Sequence, residues 1–132
     1  LKKLVSEMQL NENVKFFKNI DNDLKNAIVS KSNIFVMPSV VFRKSVEGFG
    51  IAFIEAAQFG IPSVGGKDGG ASDAIINGKT GIICDGNNLN DIYLSIEKLF
   101  KNDTYIEFGK AAKDNSLNFH WDKIIQEYKK IL

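Results

Sequence analysis

The chain has 132 residues, 44% of them hydrophobic and 25% charged, which is enough for one globular domain with a core of its own. A formal net charge of +1 gives no electrostatic ground for a nucleic-acid or anionic-membrane partner, and no apolar run reaches the length of a membrane-crossing helix or forms a signal peptide. The one cysteine, Cys84, has no partner for a disulfide, and a free thiol inside an apolar run suits a reducing cytosol.

Leu1 to Val5 has helical spacing and no initiator Met, so the chain reads as cut within an element. Asn11 to Asn13 is turn-like, and Val14 to Phe17 is expected to be a short strand. Asp21 is placed to N-cap a helix running to about Lys31, with Leu24, Ala27 and Ile28 on one face. A buried strand follows from Asn33 to Met37 and stops at Pro38, and Val40 to Val46 forms a connection that carries Arg43 and Lys44. After a helix that ends at Gly60, Pro62 to Val64 is a strand and Gly65 to Gly70 a glycine-rich loop. Ser72 or Asp73 is expected to open a short helix to Ile76, and Thr80 to Cys84 is a strand. Asn88 or Asn90 caps a helix to Phe100 with Ile92, Ile96 and Leu99 inward, and two more helices cover about Thr104 to Asn118 and Trp121 to Leu132. Short apolar strands alternating with helices predict an α/β fold, a parallel sheet flanked by helices in the Rossmann manner.

The stretch from Glu47 to Glu55 carries the chemistry. Seven residues separate the two carboxylates, a Gly48-x-Gly50 turn follows the first, and the run from Ile51 to Ala57 contains no helix breaker. Glu47 to Gly50 therefore reads as a loop opening into a helix, with Glu55 inside its second turn. The first amides of a helix lack internal partners and face outward along a positive dipole, and glycines let a diphosphate approach them closely. Ionised carboxylates accept hydrogen bonds and donate none, so the two glutamates fit hydroxyl-bearing ends of a ligand rather than its phosphates. At about 1.5 Å of rise per residue they would sit roughly 10 Å apart along the axis, the length of a sugar–diphosphate–ribose unit. The same Gly-x-Gly, with Asp68 about twenty residues on, also raises a dinucleotide fingerprint. Phe53 in the third glycine position and the distance from the strand ending at Met37 argue against it.

Pro38-Ser39 followed by EGFGIAFIEAAQFGIPSVGGKDGGASDAIINGKTGIICD (residues 47–85) resembles the nucleotide-sugar-binding half of the retaining GT-B glycosyltransferases, glycosyl transferases group 1 or family 4 type. The likeness runs from about Val14 to Trp121. It combines the spaced glutamates, the Ala57-x-x-Gly60-x-Pro62 turn, the Gly69-Gly70 loop, and the passage from Gly78 to Gly81-Ile82-Ile83, in the family's order. The resemblance implies one donor-binding, C-terminal domain over residues 1–132, truncated on its N-terminal side, of an enzyme that moves a sugar from a nucleoside diphosphate to an acceptor with retention. It implies bacterial polysaccharide, lipopolysaccharide or glycolipid synthesis and a cytoplasmic location, any hold on the inner membrane being made through the absent N-terminal domain.

On that resemblance Glu47 is the catalytic and sugar-contacting residue and Glu55 the ribose-binding one. The amides of Phe49, Gly50 and Ile51, with Gly48, face the donor sugar and distal phosphate. Asn19 and Ile20 match where the family meets the base, and Lys67 is a loop contact. The family's basic pair, an Arg and a Lys on an earlier element, has no counterpart; the only arginine, Arg43, lies downstream. The chain alone is therefore expected to be inactive, and its sheet is expected to be completed by a homodimer, by element exchange or by a partner chain. The donor is a UDP- or GDP-linked sugar, and the acceptor glycan or glycolipid belongs to the missing domain. No cofactor and no metal are expected, since the sequence has no ligand cluster. His120 and Trp121 read as capping and packing. Two other readings share the architecture, a non-catalytic interaction module and a nucleotide-sugar epimerase.

Overall fold

The computed structural model describes residues 1–41 and 48–131. The connection around Arg43 and Lys44, and Glu47 with it, lies outside the described residues.

Among the described residues three parallel strands form the sheet in the order β1 (Phe35–Met37), β2 (Ser63–Gly66), β3 (Gly81–Cys84). Phe35, Val36 and Met37 pair with Ser63, Val64 and Gly65, and Ser63 to Gly66 pair with Gly81 to Cys84. Alternation of side chains along the strands divides the core in two. On one face Phe35, Met37 and Ile83 meet Phe53 and Ile54 of α3 (Ile51–Gln58), Ala71 and Ala74 of α4 (Ala71–Ala74), Ile75 and Phe119. On the other face Val64, Ile82 and Cys84 meet Leu99, Ile92 and Ile96 of α5 (Leu89–Phe100), and Tyr105 and Phe108 of α6 (Thr104–Ser116). The predicted inward set of α5 thus packs on the sheet, with Leu99 fully buried. Among the described residues the remaining α-helices are α1 (Lys2–Glu7), α2 (Asn22–Ser30) and α7 (Trp121–Lys129). Among the described residues no helix is long and apolar enough to cross a membrane.

The helix ends follow their local chemistry. Asp21 accepts from the Leu24 amide at 2.8 Å and starts α2, and the Asn88 side chain accepts from the amides of Asn90 and Asp91 and starts α5. The α3 terminus closes with the Gly60 amide donating to Ala57 and the Ile61 amide to Ala56, the two bonds of a Schellman turn.

Three expectations need correction. Val14 to Phe17 is not a strand: no ladder pairs it, and Phe16 and Phe17 are exposed, because a strand forms only beside a neighbour whose amides it can meet. Helix α2 buries none of its residues, and Leu24 and Ala27 are exposed, so the face drawn from Leu24, Ala27 and Ile28 is only partly covered. Neither Ser72 nor Asp73 opens α4; Gly70 precedes it and Ala71 is its first residue. The outer edge of β1 pairs with no strand among the described residues.

Cys84 is 2% exposed, and burial, with Asp91 and Asp85 nearby, pushes its thiol above the ordinary cysteine value. It is expected to resist an aromatic disulfide reagent in the native protein and to react at once in denaturant; rapid native labelling would contradict the packing around β3.

Candidate functional site

The site is built where the loops leave the carboxyl ends of the strands, the usual ligand side of a parallel sheet. Gly50 is the N-cap of α3, with φ of +78°, a left-handed backbone that side chains seldom adopt. It carries no capping side chain, and its carbonyl takes the Phe53 amide at 2.9 Å. The amides of the opening turn ahead of Phe53 therefore meet no capping group among the described residues, which leaves donors and the positive helix end facing out.

The entrance is held from behind. The loop between β2 and α4 brings Gly70 so close that a Cβ there would overlap the Gly48 carbonyl oxygen and lie 2.7 Å from the Phe49 Cα. On the near side the Phe49 ring packs against Phe119, centroids 5.5 Å apart. Beside it opens a groove of about 400 Å³, shared by Phe49 and Ile51 at the helix start, Glu55 one turn on, and Phe119, His120 and Trp121 at the start of α7.

Glu55 is half-exposed and not alone. Lys25, reaching from α2, places its Nζ 3.1 Å from both Oε1 and Oε2. No local pattern signals this pair, which spans 30 residues of sequence. Trp121, expected to pack, is 76% exposed and lines the groove instead. The His120 expectation is half met: it is the N-cap of α7 by its backbone, its carbonyl accepting from Lys123 and Ile124, but its side chain makes no cap.

Gly48, Phe49, Gly50, Ile51 and Glu55 are brought together at the mouth of α3. Asn19 and Ile20 stand just before the Asp21 cap of the helix that supplies Lys25, with Asn19 in a left-handed turn at φ of +54°. Lys67 does not line the groove. Its Nζ sits 2.6 Å from Asp85 Oδ2, joining the ends of β2 and β3. Among the described residues, no three His, Cys, Asp or Glu side chains gather as metal ligands would.

The Lys67 hydrogen bond, then the Asn87 amide, hold the Asp85 carboxyl below the ordinary carboxylate range. Because the folded value is the lower one, the pair's contribution is present above about pH 3.9 and is lost as pH falls through the folded value. Lys67 is raised by the same bond, so its contribution is lost only as pH rises through its folded value, above the ordinary lysine range. Carbon-detected NMR titration should show Asp85 titrating below the ordinary carboxylate range in the native protein and at a higher pH in Lys67→Met, where the Asn87 amide alone still lowers it; equal midpoints would contradict the pair.

Residues 1–115 match the family model described as glycosyl transferases group 1. The chain belongs to that family. A GDP-mannose-dependent alpha-(1-6)-phosphatidylinositol monomannoside mannosyltransferase of Mycolicibacterium smegmatis is 29% identical over 123 residues, 92% of this chain and 31% of that protein. The sucrose-phosphate synthase of Thermosynechococcus elongatus superposes with a TM-score of 0.81 at 24% identity, over 98% of this chain and 33% of that one. Anabaena HepE, solved in complex with UDP and glucose, superposes with a TM-score of 0.77 at 18% identity, over 99% of this chain and 35% of that one. The chain spans about a third of the length of these relatives. For a member of glycosyl transferases group 1, the parallel sheet flanked by helices is the expected GT-B architecture, of which the chain covers a part.

Proposed function

We propose that this chain binds the donor in a retaining glycosyltransferase, holding a nucleoside-diphosphate sugar across the mouth of α3. The observation that carries the reading is the groove that joins the helix entrance at Phe49 and Ile51 to the Glu55 carboxylate. The diphosphate takes the uncapped amides at Gly50 and Ile51, and Glu55 takes the ribose diol as hydrogen-bond acceptor. Glu47, outside the described residues, is assigned the sugar hydroxyls at the far end and with them the catalytic role.

The chemistry asked of such a site is modest in kind. As the bond from the anomeric carbon to the diphosphate stretches, negative charge grows on the leaving oxygen and the sugar becomes oxocarbenium-like. Fixed amides and a helix dipole stabilise that charge without reorganising. The glutamates hold both donor ends in line, which is an orientation effect. In this reading no metal takes part, the acceptor glycan or glycolipid is met by residues outside the chain, and the work is done at the cytoplasmic side of bacterial glycan assembly.

Calorimetry of the full-length protein with UDP, GDP and ADP, followed by product analysis with the matching nucleotide sugars, tests this. One diphosphate should bind, and the sugar should reach an acceptor with its anomeric configuration kept. Failure of all three to bind, or release of free isomerised sugar without transfer, would overturn the reading.

A further inference from the structure

The pair between Lys25 and Glu55 closes the acceptor that a ribose needs. The Lys25 Nζ lies 3.1 Å from Oε1 and 3.1 Å from Oε2, so the ammonium sits in the notch where the two oxygens converge. Two neighbouring hydroxyls of one ring approach a carboxylate along that same notch, one to each oxygen. The acceptor directions left over diverge and cannot take both hydroxyls together. Lys25 and a vicinal diol therefore exclude one another at Glu55.

The pair opens at little cost. Its side chains are 38% and 47% exposed, so water screens the attraction and rehydrates an ammonium that lets go. Helix α2, which carries Lys25, buries none of its residues, and among the described residues its one side-chain hydrogen bond to another element is this one. No buried side chain of α2 has to shift for the lysine to leave. We infer that Lys25 is an internal competitor for the ribose: it holds the Glu55 carboxylate until a vicinal diol displaces it, and so lowers the affinity for ribose-bearing ligands in particular. This rests on the assignment of Glu55 to the ribose. A nucleotide without the diol leaves the pair closed and is indifferent to it. The apparent affinity of a ribonucleotide scales with the fraction of molecules in which Glu55 is free, and an exposed pair reduces it by about two- to sixfold.

The test uses the full-length protein, with UDP and GDP and their 2′,3′-dideoxy counterparts as calorimetric probes. The quantity read is the preference for the ribonucleotide over its dideoxy counterpart, in which any general effect of the lysine charge on the diphosphate cancels. Lys25→Met should raise that preference by about two- to sixfold. Lys25→Arg, whose planar fork matches a carboxylate at least as well, should hold it at or below the wild-type value. In a Glu55→Ala background Lys25→Met should leave it unmoved, since the competition runs through Glu55 alone. A preference that falls or stays the same in Lys25→Met would overturn the inference; equal weakening of both ligands, the mark of a lysine drawn to the diphosphate, is one such result. A rise that persists in the Glu55→Ala background would overturn it as well. If Glu55→Ala leaves the wild-type preference unchanged, it is the ribose assignment that fails. A preference lost in Glu55→Ala but unmoved in Lys25→Met removes the competition alone.

Discussion

Replacing Glu55 by alanine is expected to weaken nucleoside-diphosphate binding by about 10- to 100-fold. The estimate comes from hydrogen bonds to a charged acceptor, worth about 1.5–3 kcal/mol, at about 1.4 kcal/mol per tenfold. The loss should be confined to ligands with a ribose diol. Glu55 faces the groove from the second turn of α3 and is half-exposed, so its removal opens no cavity and leaves the buried Phe53, Ile54, Ala56 and Ala57 in place. Melting temperature should therefore change little. Glu55→Gln is the sharper comparison: it keeps shape and one acceptor oxygen while removing the charge that engages Lys25. Its affinity should fall between those of wild type and Glu55→Ala. Calorimetry with UDP and GDP reads all three, and an unchanged affinity in Glu55→Ala would contradict the ribose assignment.

The second large effect is expected at Gly70, with Gly48 as its contrast. A methyl group on Gly70 would overlap the Gly48 carbonyl and the Phe49 backbone, and backbone cannot yield as the tip of a side chain can. Overpacking of this kind costs about 1–3 kcal/mol, and here the strain falls on the loop that shapes the helix entrance. Gly70→Ala should lower Tm and reduce nucleotide affinity by about tenfold or more, a figure set by the same range. Among the described residues nothing lies within 4 Å of where a Gly48 Cβ would stand. Gly48→Ala should leave Tm unchanged, yet still weaken binding if a diphosphate comes against that backbone. A donor affinity in Gly48→Ala equal to wild type would move the phosphates away from this turn. A Gly70→Ala protein as stable and as tight-binding as wild type would show that the loop does not buttress the entrance.

Much of the framework was legible because its signals are local. The caps at Asp21 and Asn88 need only one side chain and an amide two or three residues on, and both form. Gly60 ends α3 for an equally local reason. The three strands read as apolar runs between turns, and the sheet they make is parallel, as the alternation with helices requires. The strand drawn at Val14 to Phe17 failed because strand formation depends on a partner, and no ladder meets those residues. The cluster from Gly48 to Glu55 was readable because helix geometry alone brings a loop and a residue one turn further on together. Lys25 was not, since its meeting with Glu55 depends on how α2 lies against α3. Trp121 misled for a related reason: an aromatic beside a helix start reads as packing, and only the fold shows it lining an open groove.

Amide chemical-shift mapping of the full-length protein during titration with UDP or GDP tests the central claim most directly. A bound diphosphate over the mouth of α3 should move the amides of Phe49, Gly50, Ile51 and Ala52 most, with the amide of Glu55 following. Shifts centred elsewhere, such as on the polar hollow of Ile76, Lys79 and Asn115, with residues 49–52 unmoved, would contradict it.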